Sequence, residues 1–302
     1  MTVAEQGPPS ARAVSRPGEP ALAMSVDVEE YFQVQAFAGR VSRSDWDRWP
    51  SRVEANLERL LDLLEGAGAR GTFFVLGCVA EKHPDMVRRI VAAGHEIGSH
   101  GMSHRMITEL TPDEMRAEAR DSRRLLEDVS GSRVEGYRAP SYTINPRTRW
   151  ALDLLVESGY TYDSSIFPIR GRRYGYPDGP TRPVRLATAA AEIAEFPMTT
   201  LGVGPLRIPL LAGSYLRLLP AWVSEAAVRY QLLRNLPAVV NVHTWEIDAD
   251  QPTIGPSRRA TWTHYARLGA TAATLTRVLG VARFAGIGLR LRELGLLGSS
   301  PA

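Results

Sequence analysis

Six side chains that could do metal or proton chemistry lie at the ends of four predicted strands. They are, in chain order, Asp27, Glu29, His100, His104, Arg138 and His243. In parallel α/β folds the carboxyl ends of the strands gather at one edge, so residues far apart in sequence can meet there. The sequence therefore predicts one shared site built from these strand ends.

The first of these strand ends carries an unusual group of acids. Asp27, Glu29 and Glu30 are flanked on both sides by apolar stretches, and burying carboxylates costs free energy unless a cation or a proton-transfer role offsets it. Side chains alternate along an extended chain, so Asp27 and Glu29 point to one face and Glu30 to the other. An arbitrary carboxylate pair usually faces solvent, but the residues downstream favour a functional site here.

The two histidines have a spacing that suits metal ligands. His100 and His104 form a His-x-x-x-His pair, whose imidazoles can reach one cation from a helical turn or a tight loop. Two imidazoles with one carboxylate, leaving positions open for water and substrate, form a known catalytic zinc set. Glu29 can supply that carboxylate, and a divalent metal, with zinc first, is the expected cofactor.

The remaining residues suit acid–base catalysis of a hydrolysis. Asp27, which is not needed as a ligand, can take a proton from an activated water, and His243 can protonate the leaving group from the opposite side. Arg138 can hold Asp27 ionised and oriented, with Asp163 balancing the guanidinium in turn. A backbone N–H after Pro140 can bind the oxyanion.

Composition narrows the classes of protein. The chain has 302 residues, 44% hydrophobic and 23% charged, which is typical of a globular protein with one large α/β barrel or two ordinary domains. A net charge of +3 without a dense basic run argues against nucleic-acid binding. Cys78 is the single cysteine, which excludes an intramolecular disulfide and a multi-cysteine zinc site.

The sequence shows no signal peptide core and no apolar span long enough for a transmembrane helix. Residues 1–20 are rich in proline, glycine, serine and charge, so we expect a flexible arm on a cytoplasmic protein. The C-terminal helix carries Arg283, Arg290 and Arg292 among apolar residues. It could lie on a membrane surface, although an ordinary packing helix is the expectation.

Seven apolar segments have the pattern of strands and alternate with segments of helical periodicity. The first leads into Asp27, and the others lie at residues 71–77, 95–100, 134–137, 160–164, 192–198 and 238–243. Residues 170–190 show little periodicity and predict a long surface loop. Because no linker interrupts this order, we expect one domain over residues 21–302. Its parallel sheet would close into a barrel, with an open doubly wound sheet as the alternative.

The motifs that carry these residues resemble a known family. Ser-Val-Asp-Val-Glu, Ser-His-Gly-Met-Ser-His, Arg-Ala-Pro-Ser and Val-Asn-Val-His are similar, in order and approximate spacing, to the motifs of the polysaccharide deacetylase family, the NodB-homology domain of carbohydrate esterase family four. The likeness runs from about residue 22 to 245. The extensions at residues 29–34, 163–168 and 243–248 are similar to the subfamily found with bacterial exopolysaccharide loci.

The resemblance implies a distorted seven-stranded (β/α) barrel and metal-dependent removal of acetyl groups from an N-acetylated sugar or polysaccharide. It implies Asp27 as the base, His100 and His104 as metal ligands, Arg138 as the partner of the base and His243 as the acid.

Two positions depart from the family pattern. Val28 stands where the common pattern has a second aspartate that binds the metal, so the ligand moves to Glu29, the next residue on the same face. Ser141 stands where an aromatic residue is usual, and Tyr142 follows it, so the oxyanion contact can come from either backbone N–H. Ser141, Tyr142 and Trp245 are the residues expected beside the substrate.

Two other functions remain open. An amidase or deformylase of the same superfamily, acting on a small non-polymeric amide, would use the same chemistry, and a glycan-binding homologue would lack catalysis. The shape of the site separates the two enzymes. An extended groove lined by Tyr31, Tyr142, Trp245 and Trp262 favours glycans, and a closed pocket favours the small amide, although at least half of these rings are expected in the core.

Overall fold

A curved, mostly parallel sheet with helices packed against it forms the framework of the protein. The computed structural model describes residues 22–171, 174–203, 206–255 and 258–298. In this part of the chain the main sheet has nine strands, which are numbered along the sequence. Eight of them lie in the order β10-β1-β2-β3-β4-β5-β7-β6, and the ninth, β11, pairs with β1. The sheet curls into a half-barrel, which confirms the predicted α/β barrel-type fold.

The seven predicted strands all form. They are β1 (Leu22–Val28), β2 (Thr72–Val75), β3 (Glu96–Ser99), β4 (Gly136–Tyr137), β5 (Tyr162–Asp163), β7 (Glu192–Glu195) and β10 (Val239–His243). The pairs that link these seven are parallel, so their carboxyl ends share one edge.

Four further strands were not predicted. They are β6 (Val184–Ala187), β11 (Phe284–Ala285) and the two strands of a separate hairpin, β8 (Leu201–Val203) and β9 (Leu206–Ile208). The prediction of an unstructured loop over residues 170–190 was therefore wrong at its end, because β6 pairs antiparallel with β7. A short edge strand with one half-buried face gives only a weak sequence signal.

The described helices follow the predicted alternation with the strands. They are α1 (Val53–Gly66), α2 (Gly77–Lys82), α3 (Pro84–Ala92), α4 (Pro112–Ser130), α5 (Ala151–Glu157), α6 (Ser214–Leu218), α7 (Ala221–Leu233), α8 (Arg258–Tyr265), α9 (Leu268–Leu279) and α10 (Ile287–Glu293). A capping box begins α4: the Thr111 hydroxyl accepts the Glu114 N–H, and the Glu114 carboxylate accepts the Thr111 N–H.

The central strand β1 shows how the sheet positions the site. Every residue of β1 is buried. Met24, Val26 and Val28 pack in the large cluster under the helices, and Ala23 packs in a second cluster on the other face. Because side chains alternate, Asp27 shares the face of Ala23. The strand thus delivers a carboxylate to the concave side of the sheet while its other face anchors the core.

The extent of the domain over residues 21–302 stays a prediction, and the predicted arm at residues 1–20 lies outside the described residues. Within the described part of the chain, none of the helices has the length and apolar character required to cross a bilayer. The C-terminal helix α10 packs against the protein with Ile287, Gly288, Arg290 and Leu291 buried, as an ordinary packing helix does.

Candidate functional site

The structure brings the six predicted chemical residues together at the carboxyl edge of the sheet. Five of them are buried, and His243 is half-buried. An open depression of about 270 Å³ lies over them and reaches Asp27, Glu29, His100, His104 and His243. Residues from β1, from the turn after β3 and from β10 therefore share one site.

Glu29, His100 and His104 form a cluster that could hold a metal ion. One ligand atom from each lies within 4.8 Å of the others. The Nδ1 atom of His100 lies 2.8 Å from the carbonyl oxygen of Arg138, which leaves Nε2 as the free ring nitrogen. Burial lowers the pKa of His100 to about 4, so this imidazole is neutral at physiological pH, as a metal ligand must be.

The Glu29 carboxylate has one satisfied and one unsatisfied oxygen. Oε1 accepts a hydrogen bond from Trp245 Nε1 at 2.9 Å. Oε2 lies 2.9 Å from His104 Nε2, but without hydrogen-bond alignment, so it has no donor among the described residues. Burial raises the pKa of Glu29, but the neighbouring His104, with His243 and His100, outweighs burial and holds the carboxyl well below its usual range.

A tight turn positions His104 beside Glu29. His104 has a φ of 54°, a conformation that side chains with a Cβ rarely adopt. Glu118 of α4 holds the turn, because its Oε2 accepts the N–H groups of Met102 at 2.8 Å and Ser103 at 2.9 Å, and its Oε1 accepts the Ser103 hydroxyl. Arg43 donates to the Ser103 and His104 carbonyls from the other side, at 3.0 and 3.2 Å.

Asp27 is tied to Arg138 rather than to the metal cluster. Arg138 Nη1 donates to Asp27 Oδ1 at 2.7 Å, and both side chains are almost fully buried. The guanidinium also lies over the ring of Phe74, 4.2 Å from its centroid. Burial raises the pKa of Asp27, but Arg138, with His100 and His243, outweighs it and lowers the pKa overall. Asp27 is therefore an ionised, oriented carboxylate.

Asn241 of β10 completes the surroundings of Asp27. Its Oδ1 accepts from Arg138 Nη1 at 2.6 Å and from the Ser25 hydroxyl at 2.7 Å. Its Nδ2 donates to Asp27 Oδ2 at 3.3 Å and to the Tyr142 hydroxyl at 2.8 Å. The parallel pairing of Ser25 with Asn241 places this amide beside the carboxylate.

His243 lies beside Asp27 in the depression and is backed by a buried ion pair. Its Nε2 lies 3.6 Å from Asp27 Oδ2, and its Nδ1 lies 3.0 Å from Glu246 Oε2. The other oxygen of Glu246 accepts from Arg217 Nε at 3.0 Å. Burial lowers the pKa of His243, but the Glu246 carboxylate, with Glu29 and Asp27, raises it to about 9. His243 is thus a protonated imidazolium near neutral pH.

Asp163 is buried, and its described hydrogen bonds involve Ser165 and not Arg138. Its carboxylate accepts the hydroxyl of Ser165 at 2.6 Å and the Ser165 N–H at 3.2 Å, and it pairs in register with Glu195 of β7. Among the described residues, the Arg138 guanidinium instead donates to Ser164, to the carbonyl oxygen at 2.9 Å and to the hydroxyl at 2.9 Å. Asp163 thus has no hydrogen bond or ion pair with Arg138 among the described residues, although burial raises the pKa of Asp163 and the guanidinium is near enough to oppose that rise. Its role in balancing Arg138 stays a prediction.

Ser141, Tyr142 and Trp245 all line the depression. Tyr142 N–H already donates to the Ala139 carbonyl at 3.0 Å, so within the described residues the Ser141 N–H is the one left for an oxyanion. Ser141 and Tyr142 have φ values of 54° and 53°, so this turn is held in an uncommon backbone conformation beside the site. Trp245 supports Glu29 and stacks between His243 and His264, with centroids at 5.3 and 4.1 Å.

The other expected aromatics divide between core and surface. Tyr31 is fully buried in a small aromatic cluster, so it packs in the core and does not line the groove. Trp262 is 64% exposed and is followed by Thr263 and His264, which line the depression. Glu30, on the opposite face of the chain from Glu29, accepts the Ser51 hydroxyl and the N–H groups at the start of α1.

Sequence reasoning missed four supporting residues. Asn241 and Glu246 had detectable signals, since Asn241 interrupts the apolar strand β10 before His243 and Glu246 is an acid three residues after His243. Glu118 and Arg217 had none, because each reaches the site from a helix distant in sequence.

Two family models match the chain. Residues 44–162 match polysaccharide deacetylase, and residues 164–289 match a domain of unknown function, DUF3473. Asp27 and Glu29 lie before the first match, the two histidines after β3 and Arg138 lie within it, and His243 lies in the second.

Several curated proteins are similar to part of the chain. Peptidoglycan deacetylase of Helicobacter pylori is 30% identical over 131 residues, which is 43% of this chain and 44% of that protein. Peptidoglycan-N-acetylglucosamine deacetylase of Bacillus cereus is 32% identical over 32% of this chain and 35% of its own length. Chitooligosaccharide deacetylase of Bradyrhizobium is 29% identical over 33% of this chain and 43% of its own length. The chain thus spans less than half the length of these relatives.

Solved structures share the whole fold. A Mycobacterium smegmatis protein provisionally named a polysaccharide deacetylase has a TM-score of 0.62 at 22% identity and covers 98% of both chains. A similarly named Pseudomonas aeruginosa protein has a TM-score of 0.61 at 16% identity over 92% of both chains. Puue allantoinase has a TM-score of 0.62 at 16% identity, over 98% of this chain and all of its own. At such identities the likeness establishes the fold.

Proposed function

Because the chain belongs to the polysaccharide deacetylase family, we propose that it is a metal-dependent hydrolase that removes N-acetyl groups from an N-acetylated sugar or polysaccharide. One observation carries the proposal. Glu29 Oε2 is buried without a hydrogen-bond donor among the described residues, beside two buried imidazoles. A buried carboxylate oxygen in that position costs free energy that a divalent cation would recover.

The donor set fits zinc or a similar borderline cation. Glu29, His100 and His104 would supply one carboxylate oxygen and two imidazole nitrogens, and the remaining positions stay open for water and substrate. The surrounding contacts support this use, since Trp245 fixes the Glu29 carboxylate and the Arg138 carbonyl fixes the His100 ring. The identity of the metal in the cell, with zinc expected, is part of the proposal.

The bound metal would lower the pKa of a water molecule and polarise the acetyl carbonyl. Asp27 serves as the general base that takes the proton from the attacking water. Its ionised state and its orientation come from Arg138 and Asn241. The Ser141 N–H donates to the oxygen that gains charge during the attack.

His243 is the general acid that gives its proton to the leaving amine nitrogen. Its Nε2 faces the depression, while Nδ1 is held by Glu246, so the imidazolium is both charged and fixed in orientation. Asp27 and His243 have pKa values shifted in opposite directions, as acid and base at one neutral pH require.

The shape of the site favours a saccharide over a small amide. The depression is open to solvent, as a groove that admits part of a longer saccharide would be, rather than enclosed around a small cyclic or formyl amide. Tyr142 lies in its wall, and the exposed Trp262 lies next to lining residues. Trp245 also lines the depression, but His243 and His264 cover its two ring faces, so Trp262 offers the open aromatic face on which a sugar ring can stack. The similarity to proteins named for peptidoglycan and chitooligosaccharide deacetylation supports the same substrate class.

Acetate release tests this function. The protein would be incubated with chitooligosaccharides and peptidoglycan fragments, for which acetate is measured, and with small amides such as allantoin and N-formyl compounds, for which loss of the amide is measured, with and without added zinc. We expect acetate from at least one glycan, and its loss after chelation. Turnover of a small amide alone would favour the amidase, and binding of glycans without turnover would favour the non-catalytic homologue.

Single substitutions separate catalysis from metal binding. Asp27→Asn and His243→Ala should each lower acetate release by about 10²- to 10⁴-fold and keep the metal, whereas His104→Ala should lose both. Metal content would be measured by elemental analysis beside the activity. Unchanged turnover in either of the first two variants would refute the proposed acid–base pair.

A further inference from the structure

Helix α7 presents an apolar face to solvent, away from its contacts with the protein. Its large apolar side chains are exposed: Trp222 by 64%, Tyr230 by 47% and Leu233 by 86%. At about 100° per residue these three positions fall within about 80° of arc, along about 16 Å of helix. They form one continuous stripe, which we call the α7 face.

The inner side of the same helix is unusually polar and small. The buried residues of α7 are Ser224, Ala227, Val228 and Gln231. The Ser224 hydroxyl is buried without a hydrogen-bond partner among the described residues. A helix that only had to pack on the protein would place its tryptophan, tyrosine and leucine inward. The reversed arrangement indicates that the α7 face has a partner of its own.

The charges around the α7 face are mostly positive. Arg229 and Arg234 are exposed on or beside it. Glu225 is the single acid of α7, all of whose residues are described, and it pairs with Arg277 of α9 at 2.8 Å. Three arginines against one glutamate leave a local charge of +2. A partner of this surface should therefore be both apolar and anionic.

We propose that the α7 face binds the surface of an anionic phospholipid bilayer. Trp and Tyr side chains favour the headgroup region, leucine reaches the acyl boundary, and arginines contact phosphates. A single convex helix with three projecting side chains suits this soft interface better than a rigid protein groove. The surface differs from the basic C-terminal helix, whose Arg290 is largely buried against the protein. Membrane binding at α7 is independent of the deacetylation proposed above.

Vesicle sedimentation of the full chain tests the proposal. We expect binding to vesicles of equal parts phosphatidylcholine and phosphatidylglycerol to exceed binding to phosphatidylcholine alone by about 30-fold, since two arginines act on the anionic surface. The double variant Arg229→Gln/Arg234→Gln should remove most of this preference. The double variant Trp222→Ser/Leu233→Ser should weaken binding to both vesicles, with an unchanged circular dichroism spectrum and unchanged acetate release from a soluble glycan.

Trp262→Ser is the matched control, because Trp262 is also 64% exposed but lies on α8. It should bind vesicles as the unaltered protein does. Equal sedimentation of all variants, or no sedimentation with either lipid, would overturn the proposal. A dimer in light scattering that Leu233→Ser dissociates would also overturn it, since a second copy would then cover the face.

Discussion

Glu118 offers a sharp test of how the fold prepares its metal ligands. It lies on α4, has no direct contact with the cluster and holds the turn that carries His104 through the N–H groups of Met102 and Ser103. We expect Glu118→Ala to fold normally but to bind zinc more weakly, because His104 then has to be drawn into its left-handed conformation when the metal binds.

The magnitude follows from the lost hydrogen bonds. A hydrogen bond to a charged acceptor contributes about 1.5–3 kcal/mol, and Glu118 accepts two from backbone N–H groups. Met102 and Ser103 are half-buried, so water can replace part of the hydrogen bonding that their N–H groups lose. A net loss of about 1.5–3 kcal/mol corresponds to roughly 10- to 100-fold weaker zinc binding, which is the range expected for residues that support metal ligands.

Competition with a chromophoric chelator would measure the zinc affinity. Glu118→Gln should rescue most of the loss, because an amide oxygen can accept the same two N–H groups and the amide can donate to the Ser103 hydroxyl. Asp121→Ala, on the exposed side of the same helix, should have no effect. Zinc binding by Glu118→Ala within about twofold of the unaltered protein would refute the reasoning that the turn is prepared by this carboxylate.

Three further predictions concern the acid, the support of the metal ligand and the stability of the fold. Glu246→Gln should return the pKa of His243 from about 9 towards its ordinary value, which lowers its protonated fraction at pH 8 by about 30-fold. The alkaline limb of the rate profile should then move to lower pH, and an unmoved limb would contradict the role of Glu246. Trp245→Phe removes the donor to the Glu29 carboxylate and should weaken zinc binding by about 10-fold or more; unchanged zinc affinity would argue against that support. Burial and the nearby Arg70 guanidinium lower the pKa of His95 to about 4, below its value in the unfolded chain. The free energy of unfolding should therefore decrease by up to about 3 kcal/mol as the pH falls from about 6.5 to 4. His95→Gln should remove that part of the acid sensitivity in urea unfolding, and parallel pH profiles would contradict it.

The fold was largely predictable from the order of its elements. Seven apolar strands alternating with amphipathic helices restrict the chain to a parallel sheet, and the motif residues fall at the ends of those strands. The short edge strand β6 and the hairpin β8–β9 were not predictable, because their pairing partners rather than their own residues stabilise them.

The candidate site was predictable in its reactive residues and less so in its support. Alternation along β1 placed Asp27 and Glu29 on one face, and parallel pairing brought His243 beside Asp27. Asp163 was predicted to balance the Arg138 guanidinium, and the structure shows its carboxylate held by two hydrogen bonds from Ser165, with none from Arg138 among the described residues. Sequence spacing gives the strand end and not the direction of a side chain.

The proposed catalytic site depends most on Glu29, rather than a second aspartate, as the carboxylate ligand, with Asp27 left free as the base. Anomalous diffraction at the zinc edge, from crystals grown with zinc, would test this directly. We predict one zinc ion with a Glu29 oxygen at about 2.0–2.2 Å, two imidazole ligands from His100 and His104, and Asp27 still bound to Arg138. A zinc ion coordinated by Asp27, with Glu29 beyond that distance, would contradict the account.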